Sequence, residues 1–195
     1  MRALQEFVRI GIRDIGELKD ALQVAMQLEF ATIPPYLCAQ WSITNDPDRV
    51  EGVLHHIVSQ EMNHLGLAGN LLAAVGGTPR VARPSFLPRY PLHALPGGVE
   101  QKLLIDLRPL SFEQLEVFMQ IEYPEFPPVA DPTKAEPATI GKFYDGIICA
   151  FQTLRPKFKK DANRVSVILS GPILTIDDAI SAITRIKIEG EGAPI

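Results

Sequence analysis

The chain has 195 residues and a formal net charge of −4 at pH 7, which suits one domain over residues 1–195 and excludes nucleic acid as a bulk electrostatic partner. Hydrophobic residues make up 46% of the chain, enough for a sizeable core, but no apolar run could span a membrane and the first residues lack the apolar segment of a secretion signal. The two cysteines show neither metal-type nor disulfide-type spacing, so we expect a protein of the reducing cytoplasm.

The first long helix is predicted over Glu17–Ser42, whereas Met1–Gly16 fits either a short strand or a helix. Apolar residues recur at helical spacing along one face of the long helix, and Glu29 interrupts that face near its middle. Pro34 and Pro35 follow one turn later. Because proline removes a backbone amide donor, we expect a kink or a break there.

A second long helix is predicted over Arg49–Gly77, with an N-cap candidate in the loop Thr44–Asp48 and a Gly-Gly-x-Pro stop signal. Its apolar stripe is interrupted by Glu61 and His64, which are three residues apart and therefore share a helix face. A buried carboxylate is costly unless it is paired or holds a metal ion. Glu-x-x-His on an inward helix face is typical of di-metal carboxylate bundles.

The other histidines are predicted to be surface groups. His55 and His56 lie on the second helix but off the stripe that carries Glu61. His93 lies in Thr78–Gly98, a segment with little periodicity that we expect to be an ordered loop packed on the bundle.

A third helix is predicted over Ser111–Glu125. Ser111 and Gln114 have the spacing of a capping box, in which each side chain bonds the other residue's backbone amide. Glu122 is the third carboxylate that interrupts an apolar face. The proline-rich segment Phe126–Pro137 is predicted to be a long connecting loop.

The last part of the chain is predicted to add two more helices. The fourth helix covers Thr139–Leu154, with Lys142 and Asp145 beside its apolar stripe. The remaining segments are a basic loop at Arg155–Arg164, a strand or apolar loop at Val165–Leu169, and a last helix at Ile176–Ile188.

Glu29, Glu61 with His64, and Glu122 thus come from three separate helices, each at an apolar face. Carboxylate oxygen and imidazole nitrogen suit iron, manganese or zinc better than copper or magnesium. A complete di-iron bundle carries two Glu-x-x-His pairs, whereas this chain has one. A buried salt-bridge cluster, with Lys142 neutralising the glutamates, is the open alternative.

Two of these stretches resemble a known family. LEFATIPPYLCA (Leu28–Ala39) and QEMNHLGLAGNLLAAVGGTPR (Gln60–Arg80) are similar to the first two helices of a ferritin-like family. That family includes the ferritin-like domain of bacterial iminophenylpyruvate dimer synthases of violacein and indolocarbazole biosynthesis. FLPRYPLHALPGG, TIGKFYDGI and the closing EGEGA also resemble family segments, so the likeness spans nearly the whole chain.

The resemblance implies an all-α fold, a ferritin-like four-helix bundle with long proline-rich connecting loops. It implies metal ligation by Glu29, Glu61 and His64, with Glu122 and Glu191 as further candidates. The expected metal is iron, in a mono- or dinuclear site, or manganese. Family members often have a glutamate where this chain has lysine in TIGKFY.

The function implied by this resemblance is an oxidoreductase acting on a small metabolite. The alternative is a bundle domain that binds metal without turnover, or one that is structural and carries a degenerate site. Tyr36 and Tyr123 are candidates for hydrogen bonds to the ligands. We expect a small-molecule substrate as partner, no nucleic acid and no membrane, and homo-oligomerisation stays open.

Overall fold

The computed structural model describes residues 4–46, 48–96, 103–122, 139–162 and 171–190. Within these ranges the chain forms α-helices and no strand, apart from an isolated antiparallel bridge between Leu92 and Ile105. The helices are α1 (Leu4–Ile10), α2 (Ile15–Trp41), α3 (Val50–Ala74), α4 (Phe112–Ile121), α5 (Ile140–Leu154) and α6 (Ile176–Gly190). The predicted all-α fold is confirmed, and no described helix is both long and apolar enough to cross a lipid bilayer.

The start of the chain, which the sequence left open as a short strand or a helix, forms a helix. α1 buries Leu4 and Phe7, and the Phe7 ring lies 6.2 Å from the ring of Phe143 on α5. Asp14 then caps α2 by accepting a hydrogen bond from the amide of Glu17 at 2.9 Å.

Of the kink or break expected at Pro34 and Pro35, the break does not occur: α2 continues through both prolines. Pro35 leaves the carbonyl oxygen of Ala31 without its usual helical donor. The hydroxyl of Tyr90, in the loop after α3, donates to that oxygen at 2.7 Å. A side chain from a distant segment therefore satisfies a backbone acceptor that the helix itself cannot satisfy.

Both ends of α3 have capping contacts of the kind that the sequence predicts. Asp46 accepts hydrogen bonds from the amides of Val50 and Glu51, as expected for a cap in this loop. At the other end Gly76 has a φ of +74°, and the amide of Gly77 donates to the carbonyl of Leu72 at 2.8 Å. This pattern is a Schellman motif, which favours glycine at the position with positive φ.

The later helices differ from prediction mainly at their ends. Ser111 caps α4 through the amide of Gln114, but the Gln114 side chain bonds the carbonyl of Asp106, so only half of the capping box forms. α4 ends at Ile121, which places Glu122 at its C-cap. α5 agrees with prediction, with Thr139 as its N-cap.

α6 extends two residues beyond the predicted Ile188, to Gly190. The predicted loop at Phe126–Pro137 and the segment Val165–Leu169 lie outside the described residues.

The core forms where α2 packs along α3, while α5 and α6 pack on each other and on this pair. α1 contacts α5 and α2. A second apolar cluster lies between α2, α3 and α4, where the rings of Tyr36 and Phe118 are 4.3 Å apart. The packing brings one face of α2 and one face of α3 to the centre of the bundle.

Candidate metal centre

Three predicted ligands meet at the interface between α2 and α3. Glu29 on α2 is 6% exposed, and Glu61 and His64 on α3 are 6% and 0% exposed. Each offers one ligand atom, and the three atoms lie within 4.8 Å of one another. His64 Nδ1 is 3.5 Å from Glu29 Oε2 and 3.8 Å from Glu61 Oε1. Nδ1 is buried and has no hydrogen-bond partner.

In both Glu29 and Glu61, the carboxylate oxygen that does not face His64 accepts a hydrogen bond from a hydroxyl group. Thr32, one turn after Glu29 on α2, donates to Glu61 Oε2 at 2.6 Å. Tyr144 on α5 donates to Glu29 Oε1. Each carboxylate is therefore oriented through one oxygen, which leaves its second oxygen facing His64 Nδ1.

The far side of the His64 ring contacts α6. His64 Nε2 lies 3.1 Å from Glu189 Oε2, and Glu189 Oε1 accepts a hydrogen bond from Arg185 Nε at 2.8 Å. Sequence reasoning missed Glu189 because it ended the last helix at Ile188. The signal was present: Glu189 lies three residues after Ile186 and so continues the buried face of α6.

Glu122 lies near this group but is not one of the three converging residues. Its Oε1 accepts a hydrogen bond from the Tyr36 hydroxyl at 2.5 Å, which is the kind of contact predicted for Tyr36. Glu191 and Tyr123 lie outside the described residues, so their predicted roles stay predictions.

A cavity of about 30 Å³ adjoins the carboxylates, with room for one or two water-sized molecules. Its polar side is formed by Glu29, Thr32, Glu61, Glu122 and Lys187. Among the described residues, α5 contributes Ile140 and Tyr144 to the lining, and Lys142 is not part of it. The aliphatic side of the wall is formed by Leu28, Leu95, Ile121, Ile140 and Ile186.

Burial and neighbouring charges shift the pKa values of the side chains in and beside this group. Burial raises the pKa of the Glu61 carboxyl, and the nearby negative charges of Glu29 and Glu122 raise it further. Burial alone would lower the pKa of His64, but the surrounding carboxylates outweigh it and raise that pKa to about 9. Burial also raises the pKa of Glu122.

Protons thus supply the positive charge that these clustered carboxylates need when no cation is bound. A metal ion would supply the same charge. Two carboxylate oxygens and one imidazole nitrogen form a donor set that fits iron or manganese. The unpartnered Nδ1 is the atom that such an ion would satisfy.

An all-α bundle with a buried carboxylate–imidazole group at its centre is the arrangement of the ferritin-like class of proteins. Residues 22–194 match the Ferritin-like family, and the chain belongs to that family. It is similar in structure to a ferritin-like protein from Caulobacter vibrioides, with a TM-score of 0.75 and 25% sequence identity over 93% of this chain and 69% of that one. No curated protein matches the chain.

Proposed function

We propose that this chain is a metal-binding oxidoreductase that holds iron, or manganese, at Glu29, Glu61 and His64 and acts on a small metabolite. One observation carries the proposal. His64 Nδ1 is fully buried, has no hydrogen-bond partner, and faces one oxygen of each of the two glutamates. A bound cation would take the place of the protons that otherwise balance these carboxylates.

The surroundings support metal binding over a buried salt-bridge cluster. The salt-bridge alternative requires Lys142 to enter the group of glutamates. The lysine in the described lining of the cavity is Lys187 on α6, and its Nζ is paired with Asp145 at 2.5 Å, whereas Tyr144 on α5 gives Glu29 a neutral hydrogen-bond donor. A neutral donor orients a carboxylate without cancelling its charge, which leaves that charge for a metal ion.

The described residues supply ligand atoms for one metal ion. Within them, one imidazole, that of His64, meets the two glutamates, and Glu122, which lines the cavity, accepts a hydrogen bond from Tyr36. Thr32 and Tyr144 fix the two ligand carboxylates, and the aliphatic wall limits the entry of water. Iron bound here would supply one-electron redox chemistry. The resemblance to iminophenylpyruvate dimer synthases makes amino-acid-derived metabolites the first substrate class to test.

Metal binding without turnover is the second candidate function, and the cavity favours it. A volume of about 30 Å³ holds a water-sized molecule but no amino-acid-derived metabolite. An enzyme with this site would therefore have to meet its organic substrate at the edge of the cavity or after a rearrangement.

Anaerobic loading with Fe(II), followed by exposure to oxygen or hydrogen peroxide, separates the two functions. An oxidoreductase would consume the oxidant repeatedly when an oxidisable amino-acid derivative is added, and His64→Ala would abolish this consumption. One stoichiometric oxidation of the bound iron, with no further consumption in the presence of such derivatives, would favour the non-catalytic function. A matched control is His93→Ala, because His93 is exposed in the loop after α3.

A further inference from the structure

The ring of His64 has a different environment at each of its two nitrogen atoms. Nε2 lies 3.1 Å from Glu189 Oε2, whereas Nδ1 faces the candidate metal position without a hydrogen-bond partner. A metal ion binds only a ring nitrogen that carries no proton. The location of the remaining ring proton therefore decides whether Nδ1 can serve as a ligand.

Glu189 is held in place by its own helix. Arg185, four residues earlier on α6, donates to Glu189 Oε1 at 2.8 Å. The two side chains are 22% and 25% exposed, so this ion pair is shielded from solvent more than an ordinary surface pair. Ile183 and Ile186 bury the same side of α6 in the bundle. This packing fixes the position of Glu189 along α3.

We propose that Glu189 is a positioning residue for the metal centre: it accepts a hydrogen bond from Nε2–H of His64, so that Nδ1 is the ring nitrogen that gives up its proton and binds the ion. The inference rests on the proposed function, since it presumes that His64 is a ligand. Glu189 contacts the ring and not the ion. Arg185 acts indirectly, by orienting the Glu189 carboxylate.

The alternative state of the ring explains why such a residue would matter. Without an acceptor at Nε2, the neutral ring can carry its proton on Nδ1 instead. Glu29 Oε2, at 3.5 Å, would then be the acceptor within reach, and the ligand atom would be blocked. A carboxylate at Nε2 also increases the basicity of the ring, and loss of such outer partners typically lowers metal affinity about 10- to 100-fold.

Zinc is a suitable probe because it accepts the same donors and is diamagnetic. The zinc affinity of the full chain would be measured for the unmodified protein, Glu189→Ala, Glu189→Gln and a control, Glu116→Ala, which removes an exposed glutamate from α4. In parallel, nitrogen-15 NMR of the zinc-loaded protein would show which His64 nitrogen carries the proton.

We expect a protected Nε2–H signal and zinc on Nδ1 in the unmodified protein. Glu189→Ala should lose the signal and bind zinc about 10- to 100-fold more weakly. Glu189→Gln keeps an oxygen acceptor and should stay within about threefold of the unmodified protein, as Glu116→Ala should.

Three results would overturn this inference while leaving metal binding intact: zinc on Nε2, an unchanged affinity in Glu189→Ala, or a loss in Glu189→Gln equal to that in Glu189→Ala. The last result would make Glu189 itself a ligand. The NMR result for the unmodified protein decides the question even if Glu189→Ala does not fold. Absence of zinc, iron and manganese binding by the unmodified protein would instead contradict the proposed function as well.

Discussion

The hydroxyl group of Tyr144 donates a hydrogen bond to Glu29 Oε1, and this contact joins α5 to the helix pair that carries the candidate ligands. Both side chains are buried, so little solvent competes for the bond. One oxygen of Glu29 is thereby fixed, while the other faces His64.

Replacing Tyr144 with phenylalanine should weaken metal binding about tenfold or more, because Glu29 would lose the donor that orients it. Calorimetric titration with Mn(II) would measure the change. Tyr36→Phe is the matched control: it removes the hydroxyl that donates to Glu122, which is outside the group of three candidate ligands. Equal losses in the two variants would contradict the assignment of Glu29 as ligand ahead of Glu122.

The metal-free protein should lose stability as the pH rises from about 4.5 to about 9. The folded state raises the pKa of Glu61 and raises that of His64 to about 9, so it binds more protons than the unfolded chain. Stability falls with pH wherever the folded state binds more protons. The contribution of His64 is complete below its ordinary pKa of 6.5 and is lost through about pH 9.

Urea unfolding of metal-free protein across this pH range would check the prediction. The Glu61→Gln/His64→Ala variant removes both titrating groups and should show a flatter profile. A metal-free protein whose stability rises between pH 6.5 and 8 would contradict the stated electrostatics.

A bound ion should raise the melting temperature. At a free Mn(II) concentration 100 times the dissociation constant, ligand linkage adds about 2.7 kcal/mol to the free energy of unfolding. For a chain of this size that corresponds to about 5–10 °C. Scanning calorimetry should show the shift in the unmodified protein and not in His64→Ala. An equal shift in His64→Ala would locate the binding elsewhere.

Tyr90→Phe should lower the free energy of unfolding by about 1–3 kcal/mol, because the carbonyl of Ala31 would lose its donor. Pro35→Ala provides an internal test, since alanine restores a backbone amide that can bond Ala31 within the helix. Tyr90→Phe should therefore cost less in the Pro35→Ala background. Equal costs in both backgrounds, measured by urea unfolding, would show that the Tyr90 hydroxyl does not compensate for the proline.

The convergence of Glu29, Glu61 and His64 was predictable because helical periodicity is local information. Each residue interrupts the apolar stripe of its helix. Because that stripe faces the core, the interrupting side chain also lies in the core. The same periodicity predicted the individual helices, and the family resemblance implied the all-α bundle. The metal identity did not follow, because iron and manganese accept the same oxygen and nitrogen donors.

The contacts that orient the ligands were harder to predict, because they depend on which helices meet. Tyr144 lies on an apolar stripe and reads as an ordinary core residue until α5 is placed against α2. Glu189 was missed because Gly190, directly after it, suggested that the helix had already ended. The donor that satisfies Ala31 beside Pro35 comes from Tyr90, a residue more than fifty positions away, which local sequence does not reveal.

Metal content per chain is the measurement that tests the central claim most directly. Protein purified without added metal would be analysed for iron, manganese and zinc, beside the Glu61→Ala/His64→Ala double variant. We expect one or two equivalents of iron or manganese in the unmodified protein and none in the variant. No bound metal in the unmodified protein, even after anaerobic loading with Fe(II), would contradict the account.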